Sequence, residues 1–172
     1  MKCFYLMAVL LLGSGQAIAA PELNAVSSDA EQVQIQLRDY FFNAARFGDN
    51  EVLDEFIQAG YDLNTADDKG YTALILAAYN GHPDTVERLI AAGADACAQD
   101  ARGNTALMGA IFKGELRIAK RLLATECDPD QRNHAGQTPA MYAALFQRDA
   151  LLQALRERGA DLEASDPMGN KV

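Results

Sequence analysis

The chain opens with one hydrophobic pattern and continues with another. Phe4 to Leu12 is an unbroken run of nine apolar residues. Lys2 precedes it, and Gly13, Ser14, Gly15 and the stretch Ala17-Ile18-Ala19 follow. A positive start, a short apolar run and small residues at an A-x-A site make the layout of a secretory signal. The run is shorter than the roughly 20 residues that span a bilayer. The pattern predicts a signal peptide over 1–19, cut after Ala19, because Pro21 disfavours the next site along. Residues 20–30, with Pro21, Ser27 and Ser28, read as a flexible tether.

Beyond the tether the periodicity is helical. Glu31 to Phe47 sets Val33, Leu37, Tyr40, Phe41 and Ala44 on one face, which predicts a capping first helix. Thr72 stands before an apolar run and its hydroxyl suits an N-cap. Leu74, Ala77 and Ala78 follow at helical spacing, and Gly81 suits the left-handed position past the helix end. Pro83 fits the first turn of a second helix, whose stripe is Val86, Leu89 and Ile90. Asp100 to Gly103 reads as a turn.

This pattern recurs. Gly70, Gly103, Gly136 and Gly169 are 33 residues apart, as are Thr72, Thr105 and Thr138, and Ala44, Ala77, Ala110 and Ala143. Asp62, Asp95, Asp128 and Asp161 keep the same step. Gly48, Gly81 and Gly114 do too, until Gln147 breaks the series. The unit from Tyr71 to Gly103, YTALILAAYNGHPDTVERLIAAGADACAQDARG, resembles the ankyrin repeat. The resemblance covers about residues 37–170 and implies an all-α solenoid over 31–172. Its four helix-turn-helix units would run about 37–70, 71–103, 104–136 and 137–172, joined by short β-hairpin-like turns. The fourth unit stops at Val172, so no complete fifth is expected. The family's Pro after Thr is Ala73 and Ala106, returning as Pro139, and its His is Ile75, Met108 and Met141. Glu126-Cys127 replaces Gly-Ala in the third unit and should reshape that loop.

Composition narrows the function. Apolar residues make up 49% and charged residues 23%, as in a globular protein. The formal net charge of −9 repels phosphate backbones, and no Lys/Arg cluster offsets it. Neither nucleic acid nor, once the signal is cut, a membrane is an expected partner. No phosphate or dinucleotide loop appears, and the two histidines form no metal-spaced set. His82 matches the family's Gly-His and is expected to hydrogen-bond the loop between units. His134 reads as a turn residue. The Asp62, Asp95, Asp128 and Asp161 ladder matches the family's Gly-Ala-Asp and is expected to serve loop backbone. No catalytic residue, metal or cofactor is assigned, and the chain is not expected to be an enzyme.

Once the signal is removed, two cysteines remain, Cys97 and Cys127. An exported chain meets an oxidising compartment, where an even pair invites a disulfide. A separation of 30 places the two in neighbouring units, but not at equivalent positions. Stacked units stand further apart than the roughly 7 Å a disulfide allows. The pair is therefore open, and it requires the Glu126-Cys127 loop to bend inward.

By resemblance, a partner binds the turn tips and the exposed side of the first helices. The matching positions are Arg46 and Phe47, Tyr71, Tyr79 and Asn80, Arg102, Phe112 and Lys113, and Leu145 and Phe146. Stacking predicts one column of Arg46, Tyr79, Phe112 and Leu145, and a second of Phe47, Asn80, Lys113 and Phe146. Exposed apolar and aromatic patches mark interaction surfaces. The expected role is an exported interaction module, in a bacterial periplasm, that binds another exported protein. More specific versions are an inhibitor or immunity protein of an exported enzyme, and an accessory protein for a catalase in oxidative-stress defence. A small-molecule or haem binder is the competing class, although no deep pocket is expected in four stacked units.

Overall fold

The computed structural model describes residues 22–172, with side chains from residue 30 onward. The expected signal peptide over 1–19 lies outside the described residues. Eight helices follow in order: α1 (Glu22–Phe47), α2 (Asn50–Gln58), α3 (Ala73–Tyr79), α4 (Pro83–Ala91), α5 (Ala106–Lys113), α6 (Leu116–Leu123), α7 (Pro139–Leu145) and α8 (Asp149–Glu157). Within the segment read as a tether, residues 22–30 are already helical. Pro21 is the last helix breaker before Gly48, so nothing in the intervening sequence stops the helix.

Gln36–Val172 forms one compact unit, and it holds the repeats. Within it α3, α5 and α7 stack as one layer and α4, α6 and α8 as the other. The fold is an all-α repeat solenoid. Two isolated antiparallel bridges, Ala66 with Thr72 and Gln99 with Thr105, mark the hairpin-like turns.

Each first helix starts the same way for the same reason. Thr72, Thr105 and Thr138 take extended backbone, and each hydroxyl accepts from the amide three residues on, Ile75, Met108 and Met141, at 3.3 Å. Helix ends need a left-handed residue, and Gly48, Gly81 and Gly114 supply it. The fourth equivalent, Gln147, takes φ 54 without being glycine.

Small side chains let the two helices of each unit meet. Ala44, Ala77, Ala110 and Ala143 are all buried. Behind them Phe56, Leu89, Leu122 and Leu155 form a second buried column, also 33 residues apart. Truncating such a leucine to alanine costs about 2–5 kcal/mol. At the N-terminal end Phe41 packs on Phe56 and Tyr61, with ring centroids 5.2 and 4.8 Å away. The amphipathic face read for the first helix is only partly buried. Phe41 and Ala44 are in the core with Phe42 and Ala45, whereas Val33, Leu37 and Tyr40 stay exposed. Among the residues of α1 with described side chains, the core-facing ones sit in its last turns, beside α2.

Loops and turns tie each unit to the next. Asp62, Asp95, Asp128 and Asp161 each accept from the backbone amide two residues on, at 2.8–3.0 Å. Four turn residues do the same for the hairpins: the side-chain oxygens of Asp67, Asp100, Asn133 and Asp166 each accept two backbone amides. These bonds favour the ionised form of Asp166, and the side-chain bond from Asn170 is the largest cause of its lowered pKa. Between units, Ala101 donates to the carbonyl of Lys69 and His134 to that of Arg102, both at 2.9 Å. The His82 ring lies 2.9 Å from the carbonyl of Arg46, bridging the first two units.

Cys97 and Cys127 form a disulfide, with Cα atoms 5.4 Å apart. The distance estimate from the sequence tilted against this pair, and the loop register explains the difference. Cys97 stands 33 residues after Asn64 and 33 before Asp130. Asn64 Oδ1 accepts from the Asp95 amide at 2.8 Å, and Asp130 carboxylate oxygens accept from the Asp161 amide at 3.0 Å. This loop position reaches the next unit at every junction. At the middle junction it carries a thiol, and the bridge is covalent.

Candidate interaction groove

The exposed sides of α3, α5 and α7, the last turns of α1 and the hairpin turns enclose a trough of about 710 Å³, open to solvent. Six of the expected positions line it: Arg46, Tyr71, Tyr79, Asn80, Arg102 and Phe112. The other four do not. Lys113 and Phe146 adjoin the trough through their contacts with its aromatic rings. Phe47 and Leu145 are 73% and 65% exposed and lie off its wall.

The predicted columns are corrected at their far end. Tyr79 and Phe112 do stack, with ring centroids 6.0 Å apart and planes within 9°. The run then continues to Phe146 rather than to Leu145: Phe112 meets Phe146 edge-on at 4.9 Å, and Tyr142 lies 5.9 Å from Phe146. A helix end explains the shift. Leu145 is the last residue of α7, and Phe146 is its cap, turned back toward the preceding unit. Tyr79 and Phe112 keep 43% and 40% of their surface exposed, and Lys113 Nζ sits 5.1 Å above the Tyr79 ring.

The sequence reading missed Tyr142. It lies on the trough, and its hydroxyl is 3.1 Å from Asn104 Oδ1 and accepts from Asn133 Nδ2 at 3.4 Å. Leu76, Gly109 and Tyr142 are spaced by 33, one helical turn before Tyr79, Phe112 and Leu145. Extending the exposed face by that one turn would have found all three. Also missed were Arg38, Asp39 and Met108.

Charge is distributed unevenly over the trough. Asp67 and Asp100 are occupied by turn amides, and Asp68 lies 3.8 Å from Arg38. Lys69, Arg102 and Lys113 have no carboxylate partner among the described residues. The outer helices differ. There Arg88 pairs with Asp54 at 2.6 Å, Arg117 with Asp84 at 3.0 Å, and Arg121 with Glu87, each reaching back one unit.

No helix among the described residues is long and apolar enough to cross a membrane. No curated protein matches the chain. The family model for ankyrin repeats in three copies matches residues 41–133 and again 92–166. These matches cover most of the chain and the same stacked units that the 33-residue period sets out, so the chain belongs to the ankyrin-repeat family, whose members serve as protein-interaction modules.

Proposed function

We propose that this chain is an exported interaction module that binds another exported protein through the trough on α3, α5 and α7. One observation carries the reading: Tyr79 and Phe112 form a half-exposed stack on the trough they share with Arg102, beside Lys113, while most other large apolar side chains among the described residues fill the core. Aromatics flanked by cations are the residues that dominate binding energy at protein interfaces. Export, with a bacterial periplasm as the destination, is supported by the leader pattern of residues 2–19. The Cys97–Cys127 pair also supports it, since such bonds persist in oxidising compartments.

The test is a pull-down from periplasmic extract with the mature chain, beside Tyr79→Ala/Phe112→Ala. One protein retained by the wild type and lost from the variant is the expected result. Equal retention by both overturns the groove as the site. N-terminal sequencing of the exported chain checks the leader, with Ala20 expected as the first residue.

A further inference from the structure

The trough has a gap in its floor. Gly109 lies inside α5, where glycine costs about 1 kcal/mol relative to alanine. No positive φ requires it. Nor does crowding: an added Cβ would meet only Tyr79, at 3.7 and 3.8 Å, which is ordinary contact. The equivalent positions carry Leu76 and Tyr142, so a hollow opens between two filled ones. Tyr79 faces the vacated position, and Met108, Phe112 and Tyr142 line the same trough. Unpaired cations, Lys69, Arg102 and Lys113, stand on the same face.

We propose that the trough takes an acidic segment of its protein partner, with one aromatic or large aliphatic side chain seated over Gly109 and flanking carboxylates paired to Lys69, Arg102 and Lys113. This rests on the groove reading above and narrows it to a partner chemistry. The hollow supplies the desolvated pocket that an anchor side chain needs, and the cations supply complementary charge. The lining carries four cations, Arg38, Arg46, Lys69 and Arg102, and four carboxylates, Asp39, Asp67, Asp68 and Asp100. Asp67 and Asp100 are held by turn amides and Asp68 lies against Arg38, so among the described residues Asp39 alone stands against Arg46, Lys69, Arg102 and the adjoining Lys113, none of which reaches a carboxylate. The formal charges of the lining balance, and it is the groups free to pair that favour an anionic ligand.

The test is selection of a random peptide display library on the full exported chain, followed by affinity measurement of the enriched peptides. Enriched peptides should combine Asp or Glu with Phe, Trp, Tyr or Leu. They should bind Gly109→Leu at least about tenfold more weakly. Arg102→Glu should weaken them as well. Gly109→Leu should melt no lower than the wild type, because a helix-favouring residue replaces glycine. If leucine disturbs the stack, Gly109→Ala supplies the same comparison with a smaller intrusion. Basic or uncharged enriched peptides, or acidic ones indifferent to position 109, overturn the proposal. If such peptides are still lost on Tyr79→Ala/Phe112→Ala, the groove reading survives alone. No enrichment on the wild type overturns both.

Discussion

The outer and inner faces of this stack are built from the same repeat and spend their charged residues in opposite ways. On the outer helices each of Arg88, Arg117 and Arg121 reaches back to a carboxylate of the preceding unit. On the inner face Lys69, Arg102 and Lys113 reach no carboxylate, and Tyr79 and Phe112 are left half exposed beside them. The outer face therefore ties its charges into the stack, and the inner face leaves cations unpaired. On the proposed reading, the positions that carry charge pairing and those that carry recognition are separable within one 33-residue pattern.

The strongest way to break this separation is to cut the covalent junction. Cys97→Ala/Cys127→Ala should lower stability by about 3 kcal/mol, since the bond closes a loop of 30 residues. Thermal or urea unfolding checks it. Affinity for a groove ligand should stay unchanged in the same variant. A loss of binding equal to that of Tyr79→Ala/Phe112→Ala would show that fastening and recognition are one system.

A smaller effect is expected at a helix end. Gln147 holds the left-handed conformation that its three equivalents leave to glycine. Left-handed backbone disfavours residues with a Cβ by about 1–2 kcal/mol. Gln147→Gly should therefore raise stability by about 1 kcal/mol, less the entropy glycine gains in the unfolded chain. An unchanged melting temperature would mean that the glutamine side chain compensates.

The smallest effects concern the exposed charges themselves. Arg117→Ala should cost about 0.2–1 kcal/mol, because that pair is largely solvated, and added salt should erase the difference. Lys69→Ala or Arg102→Ala should move stability by less than about 0.5 kcal/mol. Both should instead weaken ligand binding. Equal stability losses on the two faces would sink the comparison. At the C-terminal hairpin, Asp166 has a pKa held below its ordinary value by the bond from Asn170. Its contribution is present above the unfolded pKa and is lost as pH falls through the lower folded one. Acid should therefore loosen this hairpin, read by amide exchange at Met168 and Asn170.

How much of this was legible in the sequence differs between fold and site. The period of 33 carried the helices, their threonine caps, their glycine ends and the loop aspartates, because each is a local backbone requirement met by one residue type. The exposed aromatics were legible for the same reason: a fixed register puts Tyr79 and Phe112 on one face. Tyr142 and Gly109 were not, because the trough extends one helical turn deeper than the last residues of each first helix. The disulfide was hidden by comparing the cysteines with each other. Cys97 shares its register with Asn64 and Asp130, and only the structure shows that this position touches the next unit. The long first helix escaped because Ser27 and Ser28 suggest a loop, while the absence of any breaker between Pro21 and Gly48 decides for helix.

The Cys97–Cys127 bond also sets a mechanical limit. Pulled from its two ends, the stack can surrender its helices and hairpins, yet the stretch from Cys97 to Cys127, a separation of 30, cannot straighten while the bond is intact. At roughly 3.4 Å for each extended residue, the fully stretched chain is about 100 Å shorter than its length allows. A reductant releases that hidden length in a single step, so the redox state of one junction decides how far this molecule can reach under tension.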